Sequence, residues 1–177
     1  LNSKNLTYVF FGGGSSGSMA YYEFFKFLVH KKYPINLIFI CGKNEKLKYR
    51  CDNLVKEEKL SNVHVIGFTT DVYNLLKVAD GVISKPGGAT VTECLEMNAP
   101  MILIPVYGGQ EKYNAKFVKH HGYGTNVRSY LGLCRIVKKT FTNPDILKKW
   151  HENLAKNDEN KSTEKIFHLA EKLLKNK

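Results

Sequence analysis

Short apolar runs alternate along the chain with longer segments in which apolar residues recur at helical spacing. The apolar runs predict six strands: TYVFF (7–11), NLIFICG (36–42), VHVIGF (63–68), GVISK (81–85), MILIPV (101–106) and a last strand near GTNVRS (124–129). The longer segments predict helices over 18–32, 44–59, 71–80, 89–98 and 110–122, and two C-terminal helices within 144–177. Strands that are apolar throughout are covered on both faces. Strict alternation therefore predicts an α/β fold, a Rossmann-like, doubly wound parallel sheet of about six strands.

Ligands of such folds bind outside the carboxyl ends of the strands. The informative residues are therefore those that follow each predicted strand. They are 12–18, 41–45, 68–71, 85–93 and 106–111.

The first of these stretches, FGGGSSGSM (11–19), matches the pattern G-x-G-x-x-G through Gly12, Gly14 and Gly17. The helix start that follows offers free N–H groups that suit an anion. A dinucleotide site also needs an acid at the end of the second strand. The sequence there is CGKN (41–44), which argues against NAD, and no Gly-Lys-Ser/Thr follows to make a P-loop. The alternative that this stretch is only a tight turn without a ligand remains open.

The second stretch, KPGGATVTE (85–93), places hydroxyls and one acid just after a strand. Pro86 ends the strand, because it cannot donate to the ladder. The Glu93 carboxylate can accept hydrogen bonds from both hydroxyls of a ribose. In a dinucleotide site this is the role of the acid at the end of the second strand, which this sequence lacks. The alternative is that Glu93 only stabilises the helix dipole.

The third stretch, PVYGGQEKYNA (105–115), again ends a strand, turns on two glycines and begins a polar helix. Gln110 offers a donor and an acceptor and Glu111 offers acceptors, which suits sugar hydroxyls. Glu111 also fits a simple helix start on dipole grounds. The three turns together indicate a ligand with phosphates and hydroxyls.

The chain has 177 residues and a formal net charge of +11, so it favours anionic partners. We expect one domain over 1–177. Because residue 1 is Leu rather than Met, a preceding partner domain is also expected. Only three arginines are present, which argues against sequence-specific DNA binding. Four cysteines without a CxxC pair indicate a reducing cytosol.

GGGSSGS, SKPGGATVTECLEMNAPMILIPV and GGQEKYNAKFVKHHG resemble the C-terminal, nucleotide-sugar-binding half of GT-B glycosyltransferases. The similarity spans most of 7–124. It is greatest to the diacylglycerol glycosyltransferases and monogalactosyldiacylglycerol synthases, with MurG-type N-acetylglucosaminyltransferases as close kin. The resemblance implies a UDP-sugar donor, a lipid acceptor, no cofactor and no bound metal. It implies no catalytic residue in this chain, because the acceptor site and general base belong to an N-terminal half.

The resemblance also implies roles for single residues. Gly13, Gly14 and Ser15 would line the diphosphate cleft, and Phe68 would flank the uracil. Gly88, Ala89 and Thr90 would offer amides to the diphosphate, and Glu93 would hold the ribose. Gln110 and Glu111 would contact the sugar, and Asn114 would support their helix start.

These residues lead us to expect transfer of a hexose or N-acetylhexosamine to a lipid, with diacylglycerol as the acceptor. The alternatives are MurG-type transfer to a lipid-linked cell-wall precursor and a non-catalytic subunit that acts with a partner chain. A nucleotide-dependent dehydrogenase and a nucleic-acid-binding protein are less favoured. We expect a cytoplasmic protein, peripheral at the inner face of the plasma membrane and in contact with anionic lipid. Helix 162–176 either packs on the sheet or the missing half, or lies on a membrane.

Overall fold

A computed structural model describes residues 2–13, 18–105, 109–157 and 162–175, with the side chains of the last range described from residue 166 onward. Its strands are β1 (Leu6–Phe11), β2 (Ile35–Ile40), β3 (Val63–Ile66), β4 (Gly81–Ser84), β5 (Met101–Leu103) and β6 (Gly124–Asn126). Its helices are α1 (Ala20–Val29), α2 (Glu45–Glu57), α3 (Val72–Lys77), α4 (Gly88–Glu96), α5 (Gln110–His120), α6 (Tyr130–Thr142), α7 (Asp145–Ala155) and α8 (Ser162–Lys175).

The six strands form one sheet in the order β3-β2-β1-β4-β5-β6, and every pairing between neighbours is parallel. This order is that of a doubly wound Rossmann-type sheet. The predicted fold class and strand number are confirmed.

Alternate residues of the central strands enter two separate cores. Tyr8 and Phe10 of β1 pack with side chains of α1, α2 and α6 on one face. Val9, between them, packs with side chains of α3, α4, α5 and α7 on the other face. Successive strand side chains point to opposite faces, so a strand covered on both sides needs a continuous apolar run.

Helix α6 lies in a segment for which the sequence analysis predicts no element. It begins where the Ser129 hydroxyl accepts a 3.1 Å hydrogen bond from the Gly132 amide. Leu133 and Val137, one helical turn apart, are fully buried. The Tyr8 hydroxyl of β1 lies 2.6 Å from the Thr140 hydroxyl, and burial raises the pKa of Tyr8 to about 12. This contact between two buried hydroxyls fixes α6 against the middle of the sheet.

The last two helices differ in how they meet the rest of the chain. Helix α7 buries Leu147 and Leu154, whereas every side chain of α8 from residue 166 onward is exposed. This part of α8 does not pack on the sheet, so packing on a second half of the protein and lying on a membrane remain as the expected placements. None of the helices in the described ranges is both long enough and apolar enough to cross a bilayer.

Candidate functional site

The strand order places the topological switch point between β1 and β4. The chain leaves β1 toward β2 and leaves β4 toward β5, so the loops after these two strands diverge. A crevice forms at such a point, and ligands of open α/β sheets bind there. The glycine-rich stretch follows β1 and the KPGG stretch follows β4, so both border the crevice.

Packing requires glycine at the start of the first loop. A Cβ atom on Gly12 would lie 2.7 Å from the Ile40 carbonyl oxygen, to which the Gly12 amide donates at 2.8 Å. Gly13 has φ of 106° and its Cβ would lie 2.6 Å from the Tyr21 ring. Gly14 and Ser15, also predicted to line the cleft, lie outside the described residues.

The first amides of α1 already have partners. The Ala20 amide donates to the Ser18 hydroxyl at 3.3 Å, and the Tyr21 amide donates to the Ser18 carbonyl at 3.1 Å. The Tyr22 amide donates to the Met19 carbonyl at 3.1 Å. These three amides of α1 are therefore not free for an anion, and the loop residues 14–17 before them lie outside the described residues.

The start of α4 is open instead. Gly87 is its N-cap, with φ of −68° and ψ of 141°, and no side chain caps the helix. The Val91 amide closes the first turn on the Gly87 carbonyl at 2.9 Å. Within the described residues the amides of Gly88, Ala89 and Thr90 make no hydrogen bond, and a Cβ on Gly88 would meet nothing within 4 Å. Three donors at a positive helix end are therefore without partners in the described part of the chain.

Glu93 stands one turn along α4, on the same exposed side as Ala89. Its carboxylate has no hydrogen-bond or ion-pair partner in the described part of the chain. Partial burial raises the pKa of Glu93, although a helix start favours the ionised form. The structure thus leaves an acceptor with spare capacity beside the open amides.

The start of α5 is tied to the turn after β4 at two points. The Lys85 ammonium lies 2.7 Å from the Glu111 carboxylate. The Asn114 side-chain amide donates a 2.9 Å hydrogen bond to the Pro86 carbonyl. Asn114 therefore joins the first turns of α5 to the KPGG turn. Gln110 is exposed at the helix start, after Gly109 at φ of 63°.

Two residues that the sequence analysis does not assign complete this part of the site. One is Lys85, which holds Glu111. The other is Tyr21, whose ring packs on Gly13 and whose pKa is raised by burial, with Lys85 and Glu111 close enough to act on it. Tyr21, Lys85 and Glu111 line a cavity of about 640 Å³ together with Arg128 and Tyr130. The sequence could have pointed to Lys85 as a site residue, because it is the last residue before the Pro-Gly-Gly turn. No local sequence pattern points to Tyr21.

Phe68 stands apart from this group. It follows β3 at the edge of the sheet, three strand positions from β4, or about 14 Å at ordinary strand spacing. Its ring is 54% exposed, and the Lys43 ammonium lies 5.1 Å from the ring centroid. The predicted site residues thus occupy two regions of one sheet edge, Phe68 at one end and the remaining described residues around the switch point.

Comparison with known proteins finds a family match for the chain. The model of the glycosyltransferase family 28 C-terminal domain matches residues 8–173. Over 120 residues the chain is 30% identical to a processive diacylglycerol beta-glucosyltransferase of Bacillus subtilis strain 168, covering 68% of this chain and 31% of that protein. It is 36% identical over 121 residues to the chloroplastic monogalactosyldiacylglycerol synthase 3 of Arabidopsis thaliana, covering 68% of this chain and 25% of that protein.

Solved structures share the fold at lower identity. MurG of Acinetobacter baumannii superposes with a TM-score of 0.79 at 20% identity, over 97% of this chain and 51% of that one. MnaA of S. aureus, solved with UDP, superposes with a TM-score of 0.70 at 13% identity, over 97% of this chain and 47% of that one. The chain thus spans about half of these structures and about a third or less of the two curated relatives. From the family match, the chain belongs to the glycosyltransferase family 28 C-terminal domain family.

Proposed function

We propose that this chain is the UDP-sugar-binding domain of a glycosyltransferase that transfers a hexose or N-acetylhexosamine to a lipid, with diacylglycerol as the acceptor. The observation that carries the proposal is the unpartnered Glu93 carboxylate one turn beyond the open amides of α4. The family match and the diacylglycerol named for two relatives support the choice of donor and acceptor.

The diphosphate binds at the start of α4. The amides of Gly88, Ala89 and Thr90 are donors without partners, and the helix dipole favours negative charge at this end. Glu93 has only acceptor oxygens when it is ionised, so it takes the two ribose hydroxyls as donors. Diphosphate and ribose are adjacent in UDP, as the amides and Glu93 are on α4.

The sugar and the base occupy the two sides of this core. Gln110 and Glu111 contact sugar hydroxyls, with Glu111 oriented by Lys85 and the start of α5 held by Asn114. Phe68 flanks the uracil. We assign Gly13, Gly14 and Ser15 to the diphosphate cleft as well, although Gly14 and Ser15 lie outside the described residues.

Catalysis then follows from where charge develops. As the bond from the sugar to the diphosphate breaks, negative charge grows on the leaving group, and preorganised amides stabilise that charge. The acceptor hydroxyl attacks the anomeric carbon, and a general base from the second half of the enzyme takes its proton.

We propose that the protein acts at the inner face of the plasma membrane. The net charge of +11 favours binding to an anionic membrane surface, and a lipid acceptor would lie in that membrane. The proposal includes no nucleic-acid partner.

Calorimetric titration of the chain with UDP, UDP-glucose and UDP-galactose tests the proposal. We expect all three to bind, and Glu93→Ala to weaken UDP about ten- to a hundredfold, because it removes two hydrogen bonds to a charged acceptor. Glu96→Ala, which removes an exposed acid from the same helix, is the matched control. Failure of all three ligands to bind, or equal affinity of Glu93→Ala and the unaltered chain for UDP, would refute the proposal.

A further inference from the structure

A second cavity opens on the other side of the start of α5. It has a volume of about 580 Å³ and lies between α5 and the turn from β6 to α6. Lys112, Lys116 and Lys119 form one exposed stripe along α5, and Arg128 faces them from the turn. The stripe is about 10 Å long at the rise of an α-helix.

The positive surface continues along α6. An adjoining cavity of about 340 Å³ shares Arg128 and adds Arg135 and Lys139. Among the residues that the structure describes, no Asp or Glu lines either cavity. We call the surface formed by these six residues the basic groove. It contains two of the three arginines of the chain.

None of these six cations has a carboxylate partner among the residues that the structure describes. Elsewhere in the same structure lysines are paired, as Lys32 is with Glu58 at 2.9 Å and Lys48 with Asp52 at 2.6 Å. Acids are therefore available in this chain but do not occur in the basic groove. Six uncompensated cations concentrate a positive potential that an anionic partner would neutralise.

Exposed apolar side chains lie beside these cations. Leu131 is 60% exposed and stands one turn before Arg135 on α6. Tyr113 is 73% exposed, and its ring centroid lies 5.9 Å from the Lys116 ammonium. Cations beside an aliphatic and an aromatic side chain suit the boundary between lipid headgroups and acyl chains. Such a surface fits free phosphate or a nucleic acid backbone less well.

We propose that the basic groove docks the chain on a membrane by binding the headgroup phosphates of anionic phospholipids. Arg128 also lines the cavity that contains Lys85 and Glu111, so the docked surface adjoins the sugar end of the proposed donor site. This places a membrane-borne acceptor next to the donor. The presence of a lipid acceptor rests on the proposed function, whereas the docking itself rests only on the residues of the basic groove.

Flotation with phosphatidylcholine vesicles that do or do not contain an equal amount of phosphatidylglycerol tests the docking. We expect binding only to the anionic vesicles. The triple variant Lys112→Gln, Lys116→Gln, Lys119→Gln should bind them about a hundredfold more weakly, since each cation near such a surface contributes roughly fivefold. Lys46→Gln, Lys56→Gln, Lys77→Gln removes three exposed lysines from α2 and α3 and is the matched control.

Equal vesicle binding by the two triple variants would overturn the proposal. So would binding of a duplex DNA to the groove while the anionic vesicles do not bind. Circular dichroism establishes that both variants are folded.

Titration of the same variants with UDP separates this inference from the proposed function. We expect UDP affinity to stay unchanged in the groove variant, because none of its three lysines lines the cavity that contains Lys85 and Glu111. Loss of vesicle binding with UDP binding intact supports the groove. A chain that binds vesicles but no UDP would contradict the donor site and leave the docking in place.

Discussion

The side-chain amide of Asn114 donates a 2.9 Å hydrogen bond to the carbonyl of Pro86. Asn114 lies one turn into α5, and Pro86 is the buried proline of the KPGG turn. One contact therefore joins the element proposed to read the sugar to the element proposed to hold the diphosphate. The neighbouring Lys85–Glu111 ion pair makes a second connection between the same two elements.

Replacing Asn114 tests whether this contact positions the donor site. Asn114→Ala leaves the Pro86 carbonyl without its donor, so the turn that presents the amides of α4 is less well fixed. We expect UDP affinity to fall about five- to tenfold, the equivalent of one hydrogen bond. Asn153→Ala is the control, because Asn153 makes a similar 3.1 Å bond to the Gly122 carbonyl, between α5 and the start of β6. Equal effects of both variants on UDP affinity would mean that Asn114 acts only through general stability.

Lys85→Met tests the orientation of Glu111. The variant keeps an unbranched side chain up to Cε but removes the ammonium group that lies 2.7 Å from the Glu111 carboxylate. We expect the affinity for UDP-hexoses to fall by more than the affinity for UDP, because Glu111 is proposed to contact the sugar alone. Lys32→Met, which removes the pairing with Glu58, should leave both affinities unchanged. A loss of UDP affinity as large as that of UDP-glucose would place Lys85 on the diphosphate instead.

Binding of UDP should depend on pH through Glu93. Partial burial raises the pKa of Glu93, and only the ionised carboxylate offers both of its oxygens as acceptors to the two ribose hydroxyls. As the pH falls through this raised pKa the carboxylate takes up a proton and loses an acceptor, so affinity falls. The decline should begin at a higher pH than an unperturbed glutamate would produce. Calorimetry with UDP-glucose across the acidic range measures this decline, because both of its phosphates are esterified and stay ionised there, unlike the terminal phosphate of UDP. The decline should be absent in Glu93→Gln and retained in Glu96→Gln.

The fold was predictable because its signals are local. The apolar runs of β1, β2 and β4 differ clearly from the helical spacing between them, and their composition implies helices on both faces. Helix α6 was missed because its sequence, YLGLCRIVKKTFT, contains a glycine near its start and several residues of weak helix propensity. Burial of Leu133 and Val137 and the Tyr8–Thr140 contact stabilise it, and these are tertiary effects.

The site was predictable in part for a related reason. Gly88 and Glu93 follow a proline-glycine turn in the sequence, so their neighbourhood on α4 can be inferred. Tyr21 and Lys85 are distant in sequence and meet only because α1 and β4 border the same crevice. The partners of the first amides of α1 were also beyond the sequence, since Ser18 serves there as acceptor through both its hydroxyl and its carbonyl.

The central claim is that Glu93 holds the ribose of UDP, and a two-by-two titration tests it most directly. UDP and 2′-deoxy-UDP are each titrated into the unaltered chain and into Glu93→Gln. We expect the unaltered chain to prefer UDP about tenfold, the equivalent of one hydrogen bond to a charged acceptor. That preference should largely disappear in Glu93→Gln. The same preference for UDP in both proteins would contradict the account, because the 2′-hydroxyl would then be bound somewhere else.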